Sequence, residues 1–162
     1  MEAWREMVEL RARNYADVMG RQIETELGFG YDGIVFSTSC QSAIKALRFE
    51  KLYPRERDVY LRLQELGIVR ILEFKVPNLL QWDDDFWVVE MEIVSPPFVL
   101  DFAGAYLDTP PDFPDDVMEA WHAEKKEQFG DRWPTVQAIM REFRKLGIYL
   151  ADVKPGNIMF RE

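Results

Sequence analysis

The chain has 162 residues, of which 48% are hydrophobic and 14% aromatic, enough apolar side chain to bury a core and to exclude a disordered polypeptide. Its 29 acidic against 20 basic residues give a net charge of −9, which opposes the phosphate-driven attraction behind most nucleic-acid binding, so neither DNA nor RNA is expected as a partner. No apolar run reaches the ~20 residues of a membrane-spanning helix and the opening MEAWREMVEL is unlike a signal peptide, so the sequence predicts a cytoplasmic protein with no membrane partner.

From Ala3 to Met19, Trp4, Met7, Val8, Tyr15, Val18 and Met19 recur near helical spacing, which predicts an amphipathic helix. QIETELGF, GIVFST and SAIKAL then read as three antiparallel strands joined by tight turns. PRERDVYLRLQELG is a helix with Pro54 at its start and Gly67 at its stop. NLLQW and FWVVEMEIV flank the acidic tip Asp83, Asp84 and Asp85 and predict a hairpin whose second strand is apolar enough to be central. Two prolines in SPPF enforce extended backbone and mark a linker. TPPDFP is a second loop, followed by a charged helix from Asp115 to about Phe129 and by a helix in RWPTVQAIMREFRKLG.

Several short motifs carry chemistry. Gly28, Gly30 and Gly33 form a G-x-G-x-x-G frame between two strands, where a hairpin without Cβ atoms lets backbone N–H groups approach phosphates, although an ordinary glycine-containing hairpin gives the same string. Lys45 interrupts the apolar run SAIKAL, and a half-buried ammonium needs a partner, for which Glu56 in the following helix is placed. Each alone has a plainer reading, Lys45 as a snorkelling surface lysine and Glu56 as an acid suited to a helix N-terminus. Cys40 and His122, single of their kinds, make no disulfide and no zinc cluster.

Taken in order, these residues resemble the protein-kinase superfamily. Gly28, Gly30, Gly33 and Val35 fit its G-x-G-x-x-G-x-V loop, Ala43, Ile44 and Lys45 its A-I-K strand, and Asp152, Lys154, Pro155 and Asn157 the D-x-K-P-x-N part of its catalytic loop. The resemblance implies an α+β, protein-kinase-like fold over the whole chain, with a five-stranded antiparallel N-lobe (1–94), a hinge (92–98) and a reduced helical C-lobe (99–162). It implies ATP as cofactor, with magnesium. Met91, Glu92, Ile93 and Val94 would be gatekeeper and hinge, Glu92 and Val94 holding the adenine edge by their backbones. Lys45 would contact the α- and β-phosphates, Asp152 would orient or deprotonate the acceptor hydroxyl, Lys154 would neutralise the γ-phosphoryl group and Asn157 would hold the metal.

Two departures shape the expected function. Leu150 and Ala151 stand where the family has His-Arg, so control by a phosphorylated activation loop is not expected. No D-F-G aspartate follows Asn157, where Glu162 is the one carboxylate, and Asp101-Phe102-Ala103-Gly104 precedes the loop and is set aside as a decoy. Three functions stay open. The first is a serine/threonine-kinase-like phosphotransferase passing the γ-phosphoryl group of ATP to an unknown protein or small-molecule acceptor. The second is an impaired nucleotide-binding pseudokinase acting as a regulatory or interaction module, and the third is a scaffold that binds no nucleotide. The short C-lobe further predicts that the helix from Thr135 to Leu146 exposes apolar surface, which favours a homodimer.

Overall fold

A computed structural model describes residues 2–161. In chain order it contains α1 (Ala3–Val18), β1 (Ile23–Gly30), β2 (Gly33–Thr38), β3 (Ser42–Leu47), α2 (Tyr53–Glu65), β4 (Arg70–Ile71), β5 (Phe74–Lys75), β6 (Leu79–Asp83), β7 (Val88–Glu92), β8 (Phe98–Val99), β9 (Tyr106–Leu107), α3 (Asp115–Phe129), α4 (Trp133–Lys145), β10 (Ile148–Tyr149) and β11 (Ile158–Met159). Among the described residues no helix is long and apolar enough to cross a membrane. The chain divides into two compact units, Met1–Leu66 with Pro77–Ile93, and Gly67–Val76 with Val94–Glu162.

The first unit is a five-stranded sheet in the order β1-β2-β3-β7-β6, every neighbouring pair antiparallel. Strand side chains alternate between its faces. On one face Val8, Ala12, Tyr15 and Ala16, at helical spacing along α1, pack on Ile34, Phe36, Ile44, Ala46 and Val88. Glu90 is fully buried on that face as well, accepting hydrogen bonds from the Tyr15 hydroxyl (2.7 Å) and the Ser42 hydroxyl (2.5 Å), with Arg21 2.8 Å away as its counter-charge. On the opposite face α2 is tied by Lys45 to Glu56 at 2.8 Å and by the Tyr60 hydroxyl to the Met91 sulfur at 3.2 Å.

Burial, and then the hydrogen bond to Glu90, push the Tyr15 phenol above its usual range, and burial with the hydrogen bond to Asp84 does the same for Tyr53. A folded-state pKa above the unfolded value near 10 means that the native state keeps a proton the unfolded chain releases, so this stabilisation is complete below pH ~10 and is lost as pH rises beyond it. Urea midpoints measured between about pH 9 and pH 11 are expected to fall, by up to roughly 1.4 kcal/mol of stability per pH unit for each tyrosine. Tyr15→Phe is expected to flatten that slope, and an unchanged slope would show that the phenol titrates as if exposed.

The second unit carries more strand than the sequence suggests. Besides α3 and α4 it has a small sheet in the order β11-β8-β5-β4, in which β5 runs parallel to β8 and the other pairs are antiparallel, and a β10-β9 pair. Two-residue strands are too short to show alternation, which is why only the helices were legible in advance. α4 turns Val136, Ile139 and Phe143 inward to full burial, and Trp133 stacks on Phe129 at the end of α3 with ring centroids 6.2 Å apart. The helical face on which the expectation of a homodimer rested is therefore buried, not exposed.

Candidate functional site

The register of the first unit gathers many of the expected nucleotide-binding residues on one face of the sheet. Gly28 lies opposite Val35, Val35 opposite Lys45, and Ala43 opposite Met91, so Val35, Ala43, Lys45 and Met91 project to the same side. Ala43 and Met91 are buried, giving Lys45 apolar neighbours. Gly28 and Gly30 belong to β1 and Gly33 opens β2, with Tyr31 and Asp32 as the two-residue tip between the paired Gly30 and Gly33. The three glycines answer different needs. A Cβ on Gly33 would stand 2.3 Å from the Ala46 carbonyl oxygen, so Gly33 lets β2 close onto β3, whereas a Cβ on Gly28 would meet nothing within 4 Å.

Lys45 is 3% exposed and Glu56 fully buried, with the ammonium 2.8 Å from Glu56 Oε1 and 2.6 Å from Asp32 Oδ2. The lysine on an apolar strand thus sits between two carboxylates, the one expected from the helix and another from the hairpin tip. A buried ion pair is retained against its desolvation cost only with close geometry of this kind. At the other expected contact, the Glu92 N–H is occupied by the Asn78 carbonyl at 3.0 Å, and Glu92 and Val94 fall in different compact units.

The second unit holds the D-x-K-P-x-N loop between β10 and β11. Asn157, 6% exposed, donates through its amide to the Asp152 backbone carbonyl at 2.9 Å and to Asp152 Oδ2 at 3.0 Å. Its backbone N–H closes a turn onto the Lys154 carbonyl at 2.9 Å, and Lys154 Nζ lies 3.7 Å from Asp152 Oδ2. Val153 is buried while Asp152 and Lys154 keep access to solvent, so the loop is pinned at Val153 and Asn157 and presents the two charged side chains.

Asp101, set aside on the sequence, belongs beside this loop. β8 pairs antiparallel with β11, the Leu100 N–H donates to the Asn157 carbonyl at 2.9 Å, and the chain then turns at Asp101 with φ +69°. Asp101 and Asp152 bring carboxylate oxygens within 4.8 Å of each other. Phe102 is anchored in the core against Phe143 with centroids 5.7 Å apart, and Asp101 Oδ1 accepts the Ala103 N–H at 3.2 Å. The string was visible in the sequence, and chain order alone removed it, because the pairing of β8 with β11 joins segments some sixty residues apart. Glu162 lies outside the described residues.

No protein-family profile matches the chain, and no curated protein matches it. Among solved structures, the ternary complex of streptomycin, ATP and APH(2")-IIa is similar at a TM-score of 0.39 and 12% identity over 96% of this chain. The chain spans 42% of the length of that protein. Overlap and identity at this level decide neither fold nor chemistry, so the functional reading has to come from the side chains.

Proposed function

We propose that this chain is a kinase-like phosphotransferase that takes the γ-phosphoryl group of ATP, with the first compact unit supplying the phosphate-binding lysine and the second the catalytic loop. The observation that carries this reading is the approach of Asp101 to Asp152 beside Asn157, because it brings a second carboxylate to the loop that the resemblance assigns to metal and acceptor. The Asp101 carboxylate and the Asn157 amide carbonyl are hard oxygen donors of the type magnesium takes alongside phosphate oxygens, which leaves the Asp152 carboxylate for the acceptor hydroxyl. The amide NH2 of Asn157 is committed to Asp152, which leaves its carbonyl oxygen as the ligand atom. When bound, magnesium would offset the charge of the phosphates in a protein of net charge −9.

The chain's own groups then have separate tasks. Lys45, oriented by Glu56, holds α- and β-phosphate oxygens, and the apolar face of Val35, Ala43 and Met91 takes the base. Asp152 orients the acceptor hydroxyl and receives its proton as the acceptor oxygen bonds to the γ-phosphorus and the bond to the leaving ADP oxygen breaks. Lys154 draws charge from the phosphoryl group in flight. A loose phosphoryl transfer asks a protein mainly for positioning and charge stabilisation, which is what two lysines and a fixed carboxylate provide.

ATP is expected to raise the melting temperature, since a ligand bound only by the native state at one hundred times its Kd adds about 2.7 kcal/mol. The shift should need magnesium and should disappear in Lys45→Ala, each protein being compared with its own nucleotide-free melt. A shift indifferent to magnesium favours the pseudokinase, and the absence of any shift at millimolar ATP would remove both nucleotide readings.

A further inference from the structure

Lys45 has a second carboxylate partner that the enzymatic reading does not use. We propose that Asp32 is a latch on Lys45 which a polyphosphate chain must displace, so that this hairpin-tip residue tempers the affinity for polyphosphate nucleotides and not for the bare nucleoside. The proposal rests on the reading of Lys45 as a phosphate ligand.

The hairpin is built to aim Asp32 inward. Its backbone is pinned to the end of β3, because the Arg48 N–H donates to the Asp32 carbonyl at 2.7 Å and Gly33 permits the close approach to Ala46. Tyr31 points the other way, 73% exposed and 5.3 Å from the Phe49 ring between centroids, while the Asp32 side chain is only 13% exposed and reaches the ammonium at 2.6 Å. Gly30 clears the path, since a Cβ there would stand 3.1 Å from Asp32 Oδ1. The glycine frame therefore divides between strand packing at Gly33 and room for the Asp32 carboxylate at Gly30.

Charge decides what can open the latch. Glu56 already offsets the charge of Lys45, so Asp32 adds a negative charge at the place where phosphate oxygens would arrive. A triphosphate offers oxygens that replace the Asp32 carboxylate on the ammonium, and rotation of that side chain suffices because the backbone is held by other contacts. A neutral nucleoside makes no demand on the ammonium, so the state of the latch leaves its binding unaltered.

Calorimetric titration of the whole protein with ATP and with adenosine, in wild type, Asp32→Asn and Asp32→Ser, tests this. Removing the competing charge is expected to tighten ATP binding about tenfold in both variants, the usual scale for one well-placed charge, with adenosine affinity unchanged. ATP binding of equal or lower affinity in the variants, or an equal gain for adenosine, would overturn the latch while leaving the nucleotide reading intact. Failure of wild type and variants alike to bind ATP would overturn the nucleotide reading and the latch together.

Discussion

Lys45→Met is expected to lower the unfolding free energy by ~3–5 kcal/mol, the range for removing one partner of a buried ion pair. The loss arises less from the missing attraction than from what stays behind. Glu56 is fully buried in α2 and would lose the ammonium 2.8 Å from its Oε1, and a buried carboxylate deprived of its counter-charge costs free energy. Asp32 adds to the strain only weakly, because its side chain can turn toward solvent from the hairpin tip. Combining Lys45→Met with Glu56→Leu removes both charges at similar volume and is expected to recover most of the stability, since apolar replacement of a whole buried pair is often neutral or favourable. Denaturant midpoints of the two proteins read this directly. A single variant as stable as wild type would mean that Lys45 and Glu56 are solvated and that the pair does not organise the face on which the nucleotide reading depends.

How far the sequence reveals this arrangement depends on the range of the contacts involved. α1, α2, α3 and α4 were legible because each repeats apolar residues at helical spacing or is bounded by signals such as Pro114 before α3, Pro134 in the first turn of α4 and Gly147 after it. The hairpins β1-β2 and β6-β7 were legible because turn or acidic tip residues lie between strand-like runs. The segment Gly67–Val76 was not, since its membership of the second unit rests on the parallel pairing of β5 with β8, which no local pattern announces. Among the site residues, Lys45 stood out because a charge on an apolar strand demands a partner, and Glu56 because α2 follows directly. Asp32 did not. An aspartate beside glycine at a hairpin tip reads as turn chemistry, and its pairing with Lys45 exists only once β2 and β3 are in register. Asp101 shows the converse, a motif recognisable as a string whose place became meaningful only through the ladder of β8 with β11.

Phosphoryl transfer by the proposed mechanism predicts a large loss of activity when either aspartate of the second unit is changed. In the proposed mechanism Asp152 receives the acceptor proton, and removing a general base of this kind typically costs about 10²–10⁴-fold in rate. Asp101 acts through the charge it adds beside Asn157, so Asp101→Asn is expected to weaken the dependence on magnesium as well as the rate. Neither change should unfold the protein, because Asp152 is partly exposed and the loop stays anchored by Val153 and by the Asn157 contact to the Asp152 backbone carbonyl. The most direct measurement follows radiolabelled γ-phosphate from ATP, with magnesium present or chelated, into added acceptors, the protein itself and inorganic phosphate, so that the result does not depend on knowing the acceptor. Magnesium-dependent release or transfer by wild type, abolished in Asp152→Ala and sharply reduced in Asp101→Asn, is the result predicted. A wild-type protein that releases no label, or one whose rate is unchanged in Asp152→Ala, would rule out phosphoryl transfer at this loop.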